Sequence, residues 1–196
     1  MRRVLTLSLL LALTVSCSRA AASKERYEKD GLSLSHLSDW HVRSDREISG
    51  TVGTRILMLE GPHGALFTLT RFPAAHPTTL AEYAATVEKK RESAAGRLSD
   101  GATHVEEAQS ADVRATIAGQ EREGLTKTFN IDGPGGSAFF RADFYVVEAG
   151  DFKWMLMGQE PAAYEAQLRP EFQLMYDSLS LPSAQARKDA AGAENK

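Results

Sequence analysis

The chain has 196 residues, 42% of them hydrophobic and 25% charged, a composition that suits an ordinary globular domain and excludes a fibrous or wholly disordered protein. A formal charge of −3, with both signs interspersed, leaves no basic stripe for a phosphate backbone, so nucleic acid is not an expected partner. With the two chain ends set aside, roughly 150 residues remain, enough to bury a core without disulfides or a structural metal.

Met1-Arg2-Arg3 is a short positive start, and Val4 to Val15 is an apolar run of 12 residues. As a helix it would rise about 18 Å, short of the roughly 30 Å hydrocarbon core of a bilayer, so residues 1–16 read as a signal peptide rather than a permanent span. Cys17 is the sole cysteine and cannot staple its own chain. The stretch Leu13-Thr14-Val15-Ser16-Cys17 resembles the bacterial lipobox, with Thr14 standing where that motif usually carries Leu. The resemblance implies that the Cys17 thiol is acylated, that cleavage falls on its N-terminal side, and that the protein is held in a lipid bilayer by its acyl chains, each buried methylene contributing about 0.8 kcal/mol. A plain secretory peptide cut near Ala20-Ala21-Ala22, which would discard Cys17, is the alternative. Ser18 resembles the outer-membrane sorting signal. The expected location is therefore the cell envelope, lipid-anchored and facing the periplasm, on the outer membrane.

Residues 17–24 form a small, polar tether after the lipidated cysteine. A single domain is expected over 25–181. Leu32 and Leu34 alternate with serines as a half-exposed strand, and Trp40-His41-Val42 opens another. Arg55 to Glu60 and Ala65 to Phe72 read as a hairpin about Gly61-Pro62-His63-Gly64. Thr79 and Glu82 fit a capping box, with Leu80, Tyr83, Ala84 and Val87 at helical spacing through about Arg91. Strand-like material follows at His104 to Gln109 and Val113 to Ile117. After Gly119 comes a long run in which Leu125, Lys127, Phe129 and Ile131 share one parity, closed by Asp132-Gly133-Pro134-Gly135-Gly136. Ala138 to Glu148 and the run containing Phe152, Trp154 and Leu156 form the clearest hairpin. The parities point Phe144 and Trp154 inward together and Tyr145 outward. A helical end begins at Pro161, with Pro170 in a first turn and Phe172, Met175 and Leu179 on an apolar stripe. Residues 182–196 carry no large apolar side chain after the domain and read as a disordered tail.

Strands joined by tight turns pair antiparallel, and two amphipathic helices need a sheet to cover, so the expected fold is α+β, a central antiparallel sheet flanked by helices. Tyr27-x3-Gly31-Leu32-Ser33-Leu34, followed by Trp40-x-Val42, is similar to the opening of the PsbP/Mog1-type domains, including the bacterial DcrB-like lipoproteins. Ile117-x-Gly119 and Tyr164-x7-Phe172-x5-Ser178-Leu179 resemble later landmarks of that group. The resemblance implies the same sandwich and an accessory or stabilising role with no shared catalytic residues.

No arrangement of reactive residues stands out. His36, His41, His63, His76 and His104 never fall at the spacing of a zinc-protease helix. His36, Asp39 and His41 could meet at a metal, against the plainer reading of two turn histidines. No G-x-S-x-G elbow occurs, and the glycine-rich turn at 132–136 lacks the Lys and Ser/Thr of a phosphate loop. Glu106 and Glu107 alternate across a strand, while Glu121 and Glu123 share a face as solvated charges. No catalytic, cofactor-binding or metal residue is nominated, and no cofactor is expected. Met155 and Met157 could offer an adaptable apolar surface, although burial under the terminal helix is the favoured reading. The reading is a non-catalytic binding or assembly accessory module with an envelope protein as partner. A carrier or sensor of a small apolar ligand is the alternative, signalled by an apolar cavity of roughly 300 Å³ or more between sheet and helix. A hydrolase with an unrecognised site is a third.

Overall fold

The computed structural model describes residues 22–50, 53–98 and 103–182. The expected signal peptide at 1–16, Cys17 and the expected tail at 183–196 lie outside them. The elements run β1 (Lys24–Lys29), β2 (Leu32–Leu37), β3 (His41–Glu47), β4 (Arg55–Glu60), β5 (Leu66–Pro73), α1 (Leu80–Leu98), β6 (His104–Ile117), β7 (Gln120–Gly133), β8 (Gly136–Ala149), β9 (Phe152–Pro161) and α2 (Glu165–Ser178). Seven strands pair antiparallel in the order β3-β4-β5-β9-β8-β7-β6, while β1 and β2 form a separate hairpin. The fold is α+β, a mostly antiparallel sheet with a helix on each face.

Turn chemistry explains the connections. Asp30-Gly31 and Ala118-Gly119 have positive φ at both central positions, the twist that two-residue hairpin turns require. The turn between β4 and β5 is a short 3₁₀ segment, Pro62–Gly64. The capping box at the start of α1 is present: Glu82 N–H donates to Thr79 Oγ1 at 3.2 Å, and Thr79 N–H donates to Glu82 Oε2 at 2.8 Å.

The central strands β5 and β9 are buried on both faces, and the register decides which side chain goes where. Residues directly opposite in an antiparallel pair share a face; Phe144 pairs with Met157 and Tyr145 with Leu156. Phe144 therefore lies with Met155, Met157, Phe129 and Tyr83 under α1, whereas Trp154 lies with Leu156, Tyr145 and the α2 stripe. The expectation that Phe144 and Trp154 point to one side is corrected. Both are buried, in different cores. Tyr145 is likewise not outward: it is 1% exposed and packs edge-on against Tyr176 at 5.6 Å between centroids. Period-two alternation marks two faces, and here a helix covers each.

The α2 core takes Leu168, Phe172, Met175, Tyr176 and Leu179 against Phe67, Leu69, Trp154 and Leu156. Close approach is possible because β9 carries Gly158, where a Cβ would stand 2.7 Å from the Tyr176 hydroxyl. Trp40 closes one end, its Nε1–H donating to Glu171 Oε2 at 2.7 Å with its ring flat against Gly61. The β1–β2 hairpin seals the outer side. β2 is buried along both faces rather than half-exposed, because Ser33 bonds the backbone of Ser180 while Leu32 and Leu34 enter the core.

Other boundaries differ from the sequence reading for local reasons. The two strand fragments at 104–109 and 113–117 are one strand, β6, carrying an irregularity between Glu107 and Gln109. That extra residue switches parity, so Val105 joins the α1 core and Val113 the α2 core. Helix α1 continues past Arg91 to Leu98, and β9 runs through Pro161 where a helix was expected. Pro170 lies inside α2 beyond its first turn. There it removes one intrahelical donor.

Two ionic clusters tie these layers. Asp45 on β3 receives Arg55 Nε at 2.7 Å and Nη2 at 3.0 Å, Tyr27 OH at 2.8 Å and Lys29 Nζ at 2.7 Å. Arg55 also donates to Asp30 at 3.1 Å, so the clamp spans the hairpin and the main sheet. On the opposite flank, Arg169 of α2 reaches Asp143 at 2.8 Å and Glu160 at 2.9 Å, with Arg141 on Asp143 at 2.9 Å. Burial pushes the Glu160 carboxyl up to about 7, against the pull of Arg169.

Candidate functional site

Helix α1 covers only part of its face of the sheet. It is fastened toward β6 and β7 by Lys127, which reaches Glu88 at 3.1 Å and Glu107 at 2.9 Å. A bond of 2.9 Å between the Tyr83 and Thr70 hydroxyls ties its first turns to β5. The segment leading into α1 is held by Lys153 Nζ, which donates to the carbonyls of His76 at 2.9 Å and Thr78 at 3.3 Å. Beyond Val87 the inward positions of α1 are filled by Arg91, Ala94 and Ala95, too small or too polar to reach the β4–β5 side.

The result is a cleft of about 730 Å³ between the second half of α1 and the sheet. Its floor follows from the ladder register. Met58, Thr68 and Met157 form one row across β4, β5 and β9, and Ile56, Thr70 and Met155 the next. Alternate residues of these strands, Leu57, Leu59, Phe67 and Leu69, enter the α2 core instead. The lining is predominantly apolar, with Phe72, Val87 and Ile131 completing the walls. Thr68 Oγ1 is buried without a hydrogen-bond partner among the described residues.

One cation sits at this wall. The Arg91 guanidinium lies over the Phe129 ring, 3.5 Å from its centroid, and donates from Nη2 to Gln159 Oε1 at 3.1 Å. Burial lowers its pKa to about 10, with Glu88, Glu107 and Glu92 acting in the opposite sense, so it is charged at neutral pH.

No family model and no curated protein matches the chain. Among solved structures, the chain is similar to the cyanobacterial PsbP (CyanoP) of Synechocystis, at 12% identity and a TM-score of 0.46, with 87% of this chain and 99% of that chain covered. It is also similar to a chain from Bacteroides thetaiotaomicron, at 10% identity and a TM-score of 0.44, spanning 82% of this chain and about half (49%) of that one. A third is LpqN, involved in cell envelope biogenesis of Mycobacterium tuberculosis, at 11% identity and a TM-score of 0.38 over 82% of this chain and 92% of that one. These are partial likenesses of fold.

The residues singled out in the sequence are placed as follows. His36 is buried in β2 with Nδ1 2.9 Å from the Leu37 carbonyl, while His41 is exposed on β3 opposite Glu60. Among the described residues no group of three or more His, Cys, Asp and Glu is gathered to hold a metal. Glu121 and Glu123 face Arg114 across the β6–β7 ladder at 3.6 Å and 2.9 Å. Met155 and Met157 are buried beneath α1 and not α2, and Met157 lines the cleft. None of the carboxylates and guanidiniums around Asp143 and Glu160 lines it. Among the described residues no helix is long and apolar enough to cross a membrane.

The sequence reading did not locate the cleft. Its one local signal was the change in α1 from Leu80, Tyr83 and Val87 to Arg91, Ala94 and Ala95 at the same helical spacing.

Proposed function

We propose that the protein is a non-catalytic, lipid-anchored binding module of the cell envelope whose cleft beneath α1 takes up a small apolar ligand. The observation that carries this reading is the cleft itself. Its 730 Å³ falls inside the roughly 300–1,000 Å³ of small-molecule sites, and its lining is apolar with few polar groups, as such sites are. That size favours the carrier or sensor over a module that acts only through a flat protein-binding face. Among the described residues no activated nucleophile, paired with a His or carboxylate base, lines it, which supports binding over turnover.

The test uses N-phenyl-1-naphthylamine, an uncharged dye that fluoresces on entering apolar sites, titrated into the full chain. Saturable enhancement is expected. Thr68→Phe should weaken it by roughly tenfold or more, because the ring fills the floor between Met58 and Met157. Thermal stability should hold, since the lost hydroxyl has no partner to forfeit. Dye binding that survives Thr68→Phe unchanged would remove the cleft from the account.

The envelope address rests on residues 1–18 of the sequence. Replacing Cys17 with serine should abolish incorporation of labelled palmitate and release the protein from membranes or leave it unprocessed, because serine cannot form the thioether. Mature protein starting near Ala21, still formed when Cys17 is present, would overturn the anchor.

A further inference from the structure

We infer that the ligand of this cleft is a single-chain amphiphile whose head is a carboxylate, bound by Arg91. The inference rests on the cleft reading above and names the chemical class of its occupant.

Along α1 the inward residues Leu80, Tyr83, Ala84 and Val87 pack on the sheet, and the next residue at that spacing is Arg91. A leucine or methionine there would extend the α1 core across the cleft at no desolvation cost. An arginine spends that position on a charge that must be withdrawn from water. Such residues are ordinarily matched by an acid, but among the described residues no carboxylate comes within ion-pairing distance of Arg91. Glu88, Glu107 and Glu92 act on it only from a distance, and the first two close on Lys127 instead.

What Arg91 does have is an orienting pair of contacts. The Phe129 face fixes the plane of the guanidinium and Gln159 holds one edge, using one hydrogen bond of the five donors the group offers. A planar, preoriented guanidinium matches a carboxylate with two parallel hydrogen bonds, a match an ammonium cannot reproduce.

Charge along the cleft points the same way. Its described lining contains Lys90 and Arg91 and no aspartate or glutamate, although acids outnumber bases 26 to 23 in the chain. Among the described lining residues the two cations are neighbours on α1, so the positive end is local. An alkyl chain on the floor of Met58, Ile56, Leu66 and Phe72 with an acid at Arg91 satisfies both halves of the site.

The test compares dodecanoate, dodecanol and dodecylamine as competitors of the bound naphthylamine dye on the full chain. Dodecanoate should displace it at concentrations roughly tenfold or more below dodecanol, with dodecylamine weakest. Arg91→Met, which keeps an apolar side chain over Phe129, should erase the preference for dodecanoate over dodecanol. Arg91→Lys, which keeps the charge without the fork, should retain only part of it. Equal competition by dodecanoate and dodecanol on the unaltered chain, with the dye binding normally, would overturn the carboxylate inference and leave the cleft reading standing. Failure of the dye to bind the unaltered chain would instead defeat the cleft reading. A preference that persists undiminished in Arg91→Met would overturn the assignment to Arg91.

Discussion

Truncating Phe144 or Phe172 to alanine is expected to destabilise the protein by about 3–5 kcal/mol each, a large share of the roughly 5–15 kcal/mol that holds a domain folded. The two residues report on different faces. Phe144 is fully buried between the sheet and α1, edge-on to Tyr83 at 6.2 Å. Phe172 carries α2 onto the sheet, edge-on to Trp40 at 5.2 Å and against Gly158. Because they belong to separate cores, the milder pair Phe144→Leu and Phe172→Leu should combine additively to within about 0.5 kcal/mol. Urea denaturation measures both. A neutral Phe172→Ala would mean that α2 does not close its face, and a neutral Phe144→Ala would say the same of α1.

Breaking the clamp between Asp45 and Arg55 should cost a similar amount. The Arg55 side chain is 4% exposed, and Asp45 accepts from three different donor residues, so removing either partner leaves the other with only a solvent-exposed counter-charge, at about 3 kcal/mol. Asp45→Leu combined with Arg55→Met should cost much less than the two single changes added together, since neither charge is left alone. The clamp also has a pH signature. Burial alone would raise the Asp45 pKa, but the bonds from Arg55, Lys29 and Tyr27 outweigh it and hold the carboxyl well below its usual range. A depressed native value means the folded state resists protonation, so the contribution is complete above the unfolded pKa of about 4 and drains away as pH falls below it. The stability gap between the natural chain and Asp45→Asn should therefore narrow in acid. A gap that stays constant from neutral pH down to about pH 2 would show that Asp45 does not titrate as this geometry requires.

Much of this fold could be read from local chemistry. The capping box of Thr79 and Glu82, the hairpins at Gly61–Gly64 and Pro134-Gly135, and the α2 stripe of Phe172, Met175 and Leu179 are decided by residues within a few positions of one another. The landmark residues of the sequence resemblance turn out to serve architecture. Tyr27 sits in the Asp45 clamp, its hydroxyl pushed up to about 12 mainly by burial, Gly31 makes the first turn, and Trp40 is buried against Glu171. Tyr145 marks where such reading ends. Alternation assigns it correctly to the face opposite Phe144, but whether that face meets water depends on α2, which arrives from the far end of the chain.

The sequence by itself determined the α+β class and the pattern of turns and caps, and it alone carries the proposed anchor at Cys17, because each rests on neighbouring residues or on composition. Only the tertiary structure decided the register that puts Phe144 and Trp154 on opposite faces, the clamp joining Asp45 to Arg55 and Tyr27, and the offset of α1 that opens the cleft beside Arg91. Each of these depends on which strand lies beside which and how a helix is fastened over them. A cavity is a property of the space between elements, and no stretch of sequence encodes that space alone.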